Sequence, residues 1–204
     1  MQEFLASTNF TVVFISLIAV KFLLETYLKL RNLKSIELNK NAIPERFVGV
    51  VTEEEYKKSI VYNIDRIRFQ IFTALFGAVV LIIFTLGGLF NFLAEIAVST
   101  TSSDVLGAVL LGLLLLIVEQ VISIPISIYS TFVIEERHGF NKTTTKTFVT
   151  DMFKSLLISA TISSVIYATV IYIVVNLGDN WWIYAFGAVF ILQAIIFFLY
   201  PVLI

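Results

Sequence analysis

The stretch Trp181–Ile204 reads WWIYAFGAVFILQAIIFFLYPVLI and contains 24 residues without a formal charge. A helix rises about 1.5 Å per residue and a bilayer core is about 30 Å thick, so about 20 apolar residues are enough to cross it. Four runs upstream meet the same criterion. The sequence therefore predicts an all-α membrane protein, a bundle of five transmembrane helices at Phe10–Leu30, Phe69–Leu93, Val105–Ile134, Leu156–Leu177 and Trp181–Ile204.

The amino-acid composition supports lipid as the solvent for most of the chain. Hydrophobic residues make up 58% and charged residues 14% of the 204 residues, whereas soluble domains have roughly 25% charged residues. The chain has no cysteine, which excludes disulfides and thiolate metal ligands. The expected partner is the lipid bilayer, and nucleic acid is not expected to bind.

The basic residues are concentrated in two linkers, which predicts the orientation. Lys and Arg beside a span hold that flank on the cytoplasmic side, so the N-terminus is expected outside the cytoplasm and the C-terminus inside. The same pattern suits a bacterial inner membrane or the endoplasmic reticulum. Apart from Lys21, the basic residues are Lys29, Arg31, Lys34, Lys40, Arg46, Lys57, Lys58, Arg66 and Arg68 in the first linker, and Arg137, Lys142, Lys146 and Lys154 in the second.

The first of these linkers is predicted to be a long, largely helical cytoplasmic segment. Thr52-Glu53-Glu54-Glu55 has the form of a capping box, in which the threonine hydroxyl and the third-position glutamate each satisfy a free amide. Apolar residues at helical spacing follow it. We therefore expect one helix to begin in the cytoplasm and continue into span two, with Pro44 marking a break before it.

Lys21, Glu25 and Glu119 carry ionisable groups well inside the predicted spans. Glu119 is placed near the middle of span three, where a charge is costly unless it faces a polar cavity or a partner. It is expected to face inward, and two interpretations stay open: a polar chamber or ion path, or a hydrogen bond that locks helices together. Lys21 and Glu25 are four residues apart on one helix face, so they can pair or extend toward the cytoplasmic end; direct substrate contact is the alternative.

The only histidine, His138, follows span three in the run Glu135–Lys142. A catalytic zinc takes three protein ligands, and this chain has neither H-E-x-x-H nor a second histidine. Its residues also form no dinucleotide fingerprint or phosphate-binding glycine loop. By itself the run is typical of a charged loop beside the membrane, with Gly139 ending the helix.

The order of residues in this loop carries a resemblance. STFVIEERHGFNKT, Ser130–Thr143, is similar to the cytoplasmic signature after the third span of the type I CAAX prenyl proteases, integral-membrane zinc metalloproteases of the gluzincin class. Tyr27–Arg31, Pro44 and Glu53–Tyr62 resemble the basic loop and the helix entering span two in that family. Tyr200–Ile204 resembles the point where the fifth span leads to the protease domain.

The resemblance implies that residues 1–204 are an N-terminal transmembrane domain. In that family the H-E-x-x-H helix, a further glutamate ligand and two more spans come after this point. A catalytic zinc domain is thus expected after residue 204, with zinc in the full-length protein. The present chain is expected to bind no metal, to contain no catalytic residue and to be inactive alone.

By the same resemblance, the chain forms the wall of a water-filled chamber and positions a peptide or a prenylated peptide substrate. The loop is expected near the cytoplasmic mouth, facing the protein's own C-terminal catalytic domain. Candidates for contact with substrate, chamber or that domain are Glu119, Glu135, Glu136, Arg137, His138, Phe140, Asn141 and Lys142.

Two functions of other classes remain alternatives from the sequence. One is a small ion-coupled transporter that uses Glu119, with Lys21 as a second charge. It predicts hydropathy symmetry between the two halves of the chain, which the sequence lacks. The other is a non-enzymatic membrane scaffold, which a tightly hydrogen-bonded Glu119 would favour.

Overall fold

The computed structural model describes residues 2–41 and 43–203, and the side chains of residues 9–41, 43–45 and 47–198. Within these ranges the chain is helical, with no β-strand beyond an isolated bridge between Val48 and Val51. A single turn of 3-10 helix, Glu45–Phe47, follows Pro44. The helices are α1 (Gln2–Asn39), α2 (Glu53–Thr85), α3 (Leu89–Thr100), α4 (Asp104–Tyr129), α5 (Thr145–Asn176) and α6 (Trp181–Leu203).

Five helical segments of the described chain are long and apolar enough to cross a membrane, which confirms the predicted fold class. Each corresponds to one predicted span. The segments are Asn9–Asn39, Glu53–Thr85, Asp104–Glu135, Thr145–Asn176 and Gly178–Phe198.

The predicted end of span two at Leu93 is wrong. Helix α2 stops at Thr85, and α3 is a separate apolar helix that the sequence prediction joined to it. Gly88 has a φ of +79°, in the left-handed region that favours glycine. A Cβ on Gly87 would lie 2.6 Å from the carbonyl oxygen of Ile83. Two glycines therefore break the helix inside a run whose apolar composition continues unchanged.

Two further helices extend well beyond the predicted spans, because the charged flanks of these spans are helical as well. Helix α1 continues past Leu30 to Asn39, and α5 begins at Thr145, eleven residues before the apolar run starts. Apolar composition marks only the part of a helix that suits lipid, whereas the helix extends until a cap or turn ends it. The predicted end of the fifth span at Ile204 lies outside the described residues.

The first compact unit consists of Met1–Leu89 and Ile126–Lys142, and α1 packs against α2 within it. The Nζ of Lys29 donates to the backbone carbonyl oxygen of Gln70 at 3.1 Å. The hydroxyl of Tyr56 donates to the backbone carbonyl oxygen of Asn39, also at 3.1 Å. The capping box is confirmed, because Thr52 and Glu55 satisfy each other's backbone N–H groups. One helix therefore runs from the linker into span two, as predicted.

The second compact unit consists of Phe90–Pro125 and Thr143–Ile204, and α5 packs against α6 within it. Helix α4 meets α5 where Gly112 faces the ring of Tyr167, so closely that a Cβ on Gly112 would overlap the ring. Small residues allow such close approach between helices in lipid, where no hydrophobic force drives helices together.

Candidate functional site

The loop Glu135–Lys142 is closed by its own backbone. A π-helical turn, Ser130–Glu135, ends at its start. Gly139 has a φ of +72°, and its N–H donates to the carbonyl oxygen of Glu136 at 3.0 Å. The N–H groups of Phe140 and Asn141 both donate to the carbonyl oxygen of Glu135, at 2.9 and 3.2 Å. Gly139 thus ends the helix, as the sequence predicted.

Two side chains of the loop bind one carboxylate of α2. The Nε2 of His138 lies 3.0 Å from Oδ2 of Asp65, and Nη1 of Arg137 donates to the same oxygen at 3.3 Å. The His138 side chain is 6% exposed and that of Asp65 22%, whereas Arg137 is exposed. We call Asp65, Arg137 and His138 the carboxylate clamp, since together they hold the loop on α2.

The electrostatics of the clamp favour an ionised carboxylate. Asp65 precedes the uncharged part of α2, which begins after Arg68. The hydrogen bond with His138 lowers the pKa of the Asp65 carboxyl below its usual range; burial opposes this, and the hydrogen bond and charge of Arg137 lower the pKa further. Asp65 is therefore negatively charged at neutral pH.

An aromatic contact lies beside the clamp. The ring of Tyr62 meets the ring of His138 edge-on with centroids 5.4 Å apart, and meets Phe140 in the same way at 4.7 Å. The Nζ of Lys58 lies 5.8 Å from the Phe140 centroid, within the range of a cation–π contact. Tyr62 is thus a common base for the buried histidine and for Phe140, which is half exposed.

The outer side of the loop offers groups that can bind a peptide or a neighbouring domain. Nδ2 of Asn141 donates to Oε2 of Glu136 at 2.8 Å, which orients the carboxylate. Glu136, Phe140 and Lys142 are exposed, and Glu135 is half exposed. The loop presents carboxylate, amide, ammonium and aromatic groups together, so it can bind backbone N–H and C=O groups beside an apolar side chain.

The structure brings most of the predicted loop residues together, but they fall into two groups: Arg137 and His138 bind Asp65 of α2, and the other residues lie on the outer side of the loop. His138 is buried, and Arg137 pairs with Asp65 although it is exposed. Prediction from the sequence missed Lys58, Tyr62 and Asp65, the residues of α2 that receive the loop. Their spacing of four and then three residues places them on one helix face, and this was the signal that could have found them.

Glu119 belongs to the second compact unit. Its side chain is exposed, and it makes no hydrogen bond or ion pair with any side chain that the structure describes. The interpretation that Glu119 locks two helices together finds no partner among the described side chains and stays a prediction. Its role beside a chamber stays a prediction.

The predicted pairing of Lys21 with Glu25 is confirmed, with 3.7 Å between Nζ and Oε1. Both residues line a cleft of about 310 Å³ between α1 and α2. The opposite wall is formed by α2 and is lined by Thr73, Ala74, Gly77, Ala78 and Leu81.

The described residues do not fit a catalytic zinc. Among the described side chains, those of residues 9–41, 43–45 and 47–198, no group of three or more His, Asp and Glu is placed to hold a metal ion. A catalytic zinc takes three protein ligands. The clamp offers one histidine and one carboxylate, and these are already bonded to each other.

Comparison with known proteins decides the family. A family model described as "CAAX prenyl protease N-terminal, five membrane helices" matches residues 32–204. The chain belongs to this family. It is 32% identical over 190 residues to the CAAX prenyl protease 1 homolog of Oryza sativa subsp. japonica and 32% identical over 192 residues to that of Arabidopsis thaliana, covering 90% and 91% of this chain.

A solved structure gives the same result for the CAAX prenyl protease fold. The crystal structure of S. mikatae Ste24p superposes on 94% of this chain with a TM-score of 0.85 and 26% identity. This chain covers 46% of that structure, 44% of the rice relative and 45% of the Arabidopsis relative. The chain thus spans about half the length of the relatives it matches.

Family and spans together identify an N-terminal membrane domain of the CAAX prenyl protease family. The protein is a multi-pass membrane protein of the endoplasmic reticulum or a bacterial inner membrane. The comparisons support neither the transporter nor the scaffold alternative.

Proposed function

We propose that this chain is the membrane-embedded part of a zinc metalloendopeptidase whose substrates are peptides or prenylated C-terminal tails. The observation that carries the proposal is the family match over residues 32–204. The relatives in rice and Arabidopsis are CAAX prenyl protease 1 homologs, and this chain covers under half of each. The zinc and the catalytic residues then belong to a domain that follows residue 204.

The proposed division of labour follows from the chemistry of the described residues. They offer no three-ligand set for zinc, and they offer a fixed loop with exposed polar and aromatic groups. The part of this chain is then to form the chamber wall and to position the substrate. The loop Glu135–Lys142 contacts the catalytic domain or the substrate through Glu136, Phe140, Asn141 and Lys142.

The proposed peptidase activity is tested by comparing the full-length protein with residues 1–204, both reconstituted in liposomes. Each is given a farnesylated peptide that ends in a CAAX sequence and a matched peptide without the farnesyl group. The full-length protein is expected to cleave at least one of the two, to lose activity with a zinc chelator and to regain it with zinc. Residues 1–204 are expected to cleave neither.

Two outcomes contradict the proposal. Cleavage by residues 1–204 alone would place the chemistry within this chain, and a full-length protein that cleaves neither peptide would remove the protease assignment. Preference for the farnesylated peptide identifies the prenyl group as part of the substrate, whereas equal cleavage identifies the peptide alone.

The proposed orientation has its own test. The chain contains no cysteine, so single cysteines can be introduced at Lys57 in the first linker and at Asp179 in the turn between α5 and α6. A membrane-impermeant maleimide added to sealed, oriented vesicles is expected to label the two positions from opposite sides. Labelling from the same side contradicts an N-terminus outside and a C-terminus inside.

A further inference from the structure

We propose that Asp65 is a positioning residue: its carboxylate holds Arg137 and His138 and so fixes the direction in which the loop presents Glu136, Phe140 and Asn141. Asp65 lies on α2, 72 and 73 residues before its two partners. The consequence for cleavage rests on the proposed function. The hold on the loop stands on the geometry alone.

The first step is that both loop side chains converge on one oxygen atom. Oδ2 of Asp65 lies 3.0 Å from Nε2 of His138 and 3.3 Å from Nη1 of Arg137. A hydrogen bond to one ring nitrogen sets the tautomer and the ring orientation of a histidine. Because the two partners are adjacent in sequence, one carboxylate fixes both the position and the rotation of the loop.

The second step is that the clamp is coupled to the exposed part of the loop. The ring of Tyr62 contacts the rings of both His138 and Phe140, with centroids 5.4 and 4.7 Å apart. The backbone between them includes Gly139, whose left-handed φ of +72° allows the tight turn. Release of His138 therefore frees Phe140 from Tyr62 and changes the direction of Glu136 and Asn141.

The third step is that the charge of Asp65 matters as well as its shape. Hydrogen bonds in which the donor or the acceptor is charged are about twice as strong as neutral ones. Asn at position 65 retains an oxygen that accepts from His138, but it loses the ion pair with Arg137. Asp65→Asn is thus expected to weaken the clamp, and Asp65→Ala to remove it.

The hold on the loop is measured with a spin label. A single cysteine replaces Lys142, which is exposed on the loop, and the 204-residue chain is reconstituted in liposomes. The label is expected to move faster in Asp65→Ala than in the unsubstituted chain, with Asp65→Asn between them. Glu53→Ala is the matched control, since Glu53 is an exposed carboxylate on the same helix whose partner Lys57 lies four residues away.

A second label controls for unfolding. Placed at Lys34 on α1, it reports on the helices without touching the loop, and its spectrum is expected to stay unchanged in Asp65→Ala. A Lys142 label that moves no faster in Asp65→Ala, with the Lys34 label also unchanged, overturns the proposal.

Cleavage by the full-length protein tests the consequence for the reaction. Displacement of a positioning group by about 1 Å typically costs about a hundredfold in rate, so kcat/KM is expected to fall between about tenfold and a hundredfold in Asp65→Ala. The double variant Asp65→Ala, His138→Ala is expected to lose no more than Asp65→Ala alone, because both act through one clamp. Losses that multiply would indicate independent roles and overturn the proposal.

The outcomes separate this proposal from the proposed function. A full-length protein without any peptidase activity contradicts the proposed function, and the Lys142 label then decides alone whether Asp65 holds the loop. A loosened loop with normal cleavage by Asp65→Ala overturns Asp65 as a positioning residue, while the proposed function stands.

Discussion

Helix α2 carries two ion-paired carboxylates that differ in almost every respect. Near its start, Oε1 of Glu53 lies 2.6 Å from Nζ of Lys57, one turn away on the same helix, and the Glu53 side chain is 74% exposed. Three turns further along α2, the carboxylate of Asp65 binds His138 at 3.0 Å and Arg137 at 3.3 Å. Both partners are more than 70 residues away in the sequence, and the side chain of His138 is buried.

The distance between two charged atoms does not by itself rank ion pairs by the stability that they contribute. An exposed pair one helical turn apart gains little, because water screens its charges and both side chains lose rotamer freedom. A hydrogen bond to a charged group that is partly removed from water contributes about 1.5–3 kcal/mol. The longer contacts of Asp65 are therefore expected to matter far more than the shorter contact of Glu53.

The largest effect is expected from His138→Ala. Removal of the buried ring deletes its bond to Asp65 and its contact with Tyr62, and the free energy of unfolding is expected to fall by about 2 kcal/mol. Equilibrium unfolding of the chain in mixed micelles measures the change. The control is Lys142→Ala on the same loop, which is expected to leave stability unchanged; equal stability for both variants would contradict the role of the clamp.

A smaller loss is expected from Gly139→Ala, because the left-handed backbone costs a residue with a Cβ about 1–2 kcal/mol. Space is not the cause, since the nearest atom to the added Cβ would be Nζ of Lys58 at 3.5 Å. Gly77→Ala is the control, as Gly77 lies within a helix with open space around it, and it is expected to be neutral or slightly stabilising. Unfolding in the same micelles compares the two, and equal effects would exclude the backbone explanation.

Thr52→Ala removes the cap at the start of α2 and is expected to cost about 1 kcal/mol. Thr52→Ser keeps the hydroxyl that accepts from the N–H of Glu55 and is expected to retain most of the stability. Circular dichroism and unfolding midpoints of the two variants provide the measurement. A serine variant as unstable as the alanine variant would show that the hydroxyl is not the stabilising group.

The smallest effect is expected from Glu53→Ala, which breaks the shortest ion pair of the comparison. The variant is expected to have the same unfolding midpoint as the unsubstituted chain. The two midpoints are expected to stay equal when the salt concentration is raised from 0.05 to 0.5 M, about the range over which screening of exposed charges becomes strong. A loss comparable with that of His138→Ala would reverse the ranking of the two pairs.

The features that were predicted correctly from the sequence are local, since each involves residues close together in the chain. The capping box at Thr52, the pair Lys21–Glu25 and the helix end at Gly139 each depend on residues within a few positions of each other, and all three are present. The five spans follow from composition over about 20 residues. Helix geometry alone fixes such relations, so no knowledge of packing was needed.

The features that could not be predicted from the sequence depend on packing between distant residues or on a helix break within an apolar run. Nothing near His138 names Asp65 as its partner, because 73 residues separate them and only the packing of the loop on α2 brings them together. The split between α2 and α3 lies within an uninterrupted apolar run, where only the glycine pair Gly87-Gly88 signals it.

The π-helical turn Ser130–Glu135 makes the orientation of the loop depend on the number of residues in the helix before it. A π turn accommodates one residue more than an α-helix of the same rise, and each helical residue rotates the chain by about 100°. Deletion of one residue within the turn would relax it to ordinary helix and keep His138 facing Asp65, whereas deletion of one residue from the α-helix directly before it would swing His138 about 100° away. The π turn is thus the point at which this helix is expected to lose one residue without releasing His138 from Asp65.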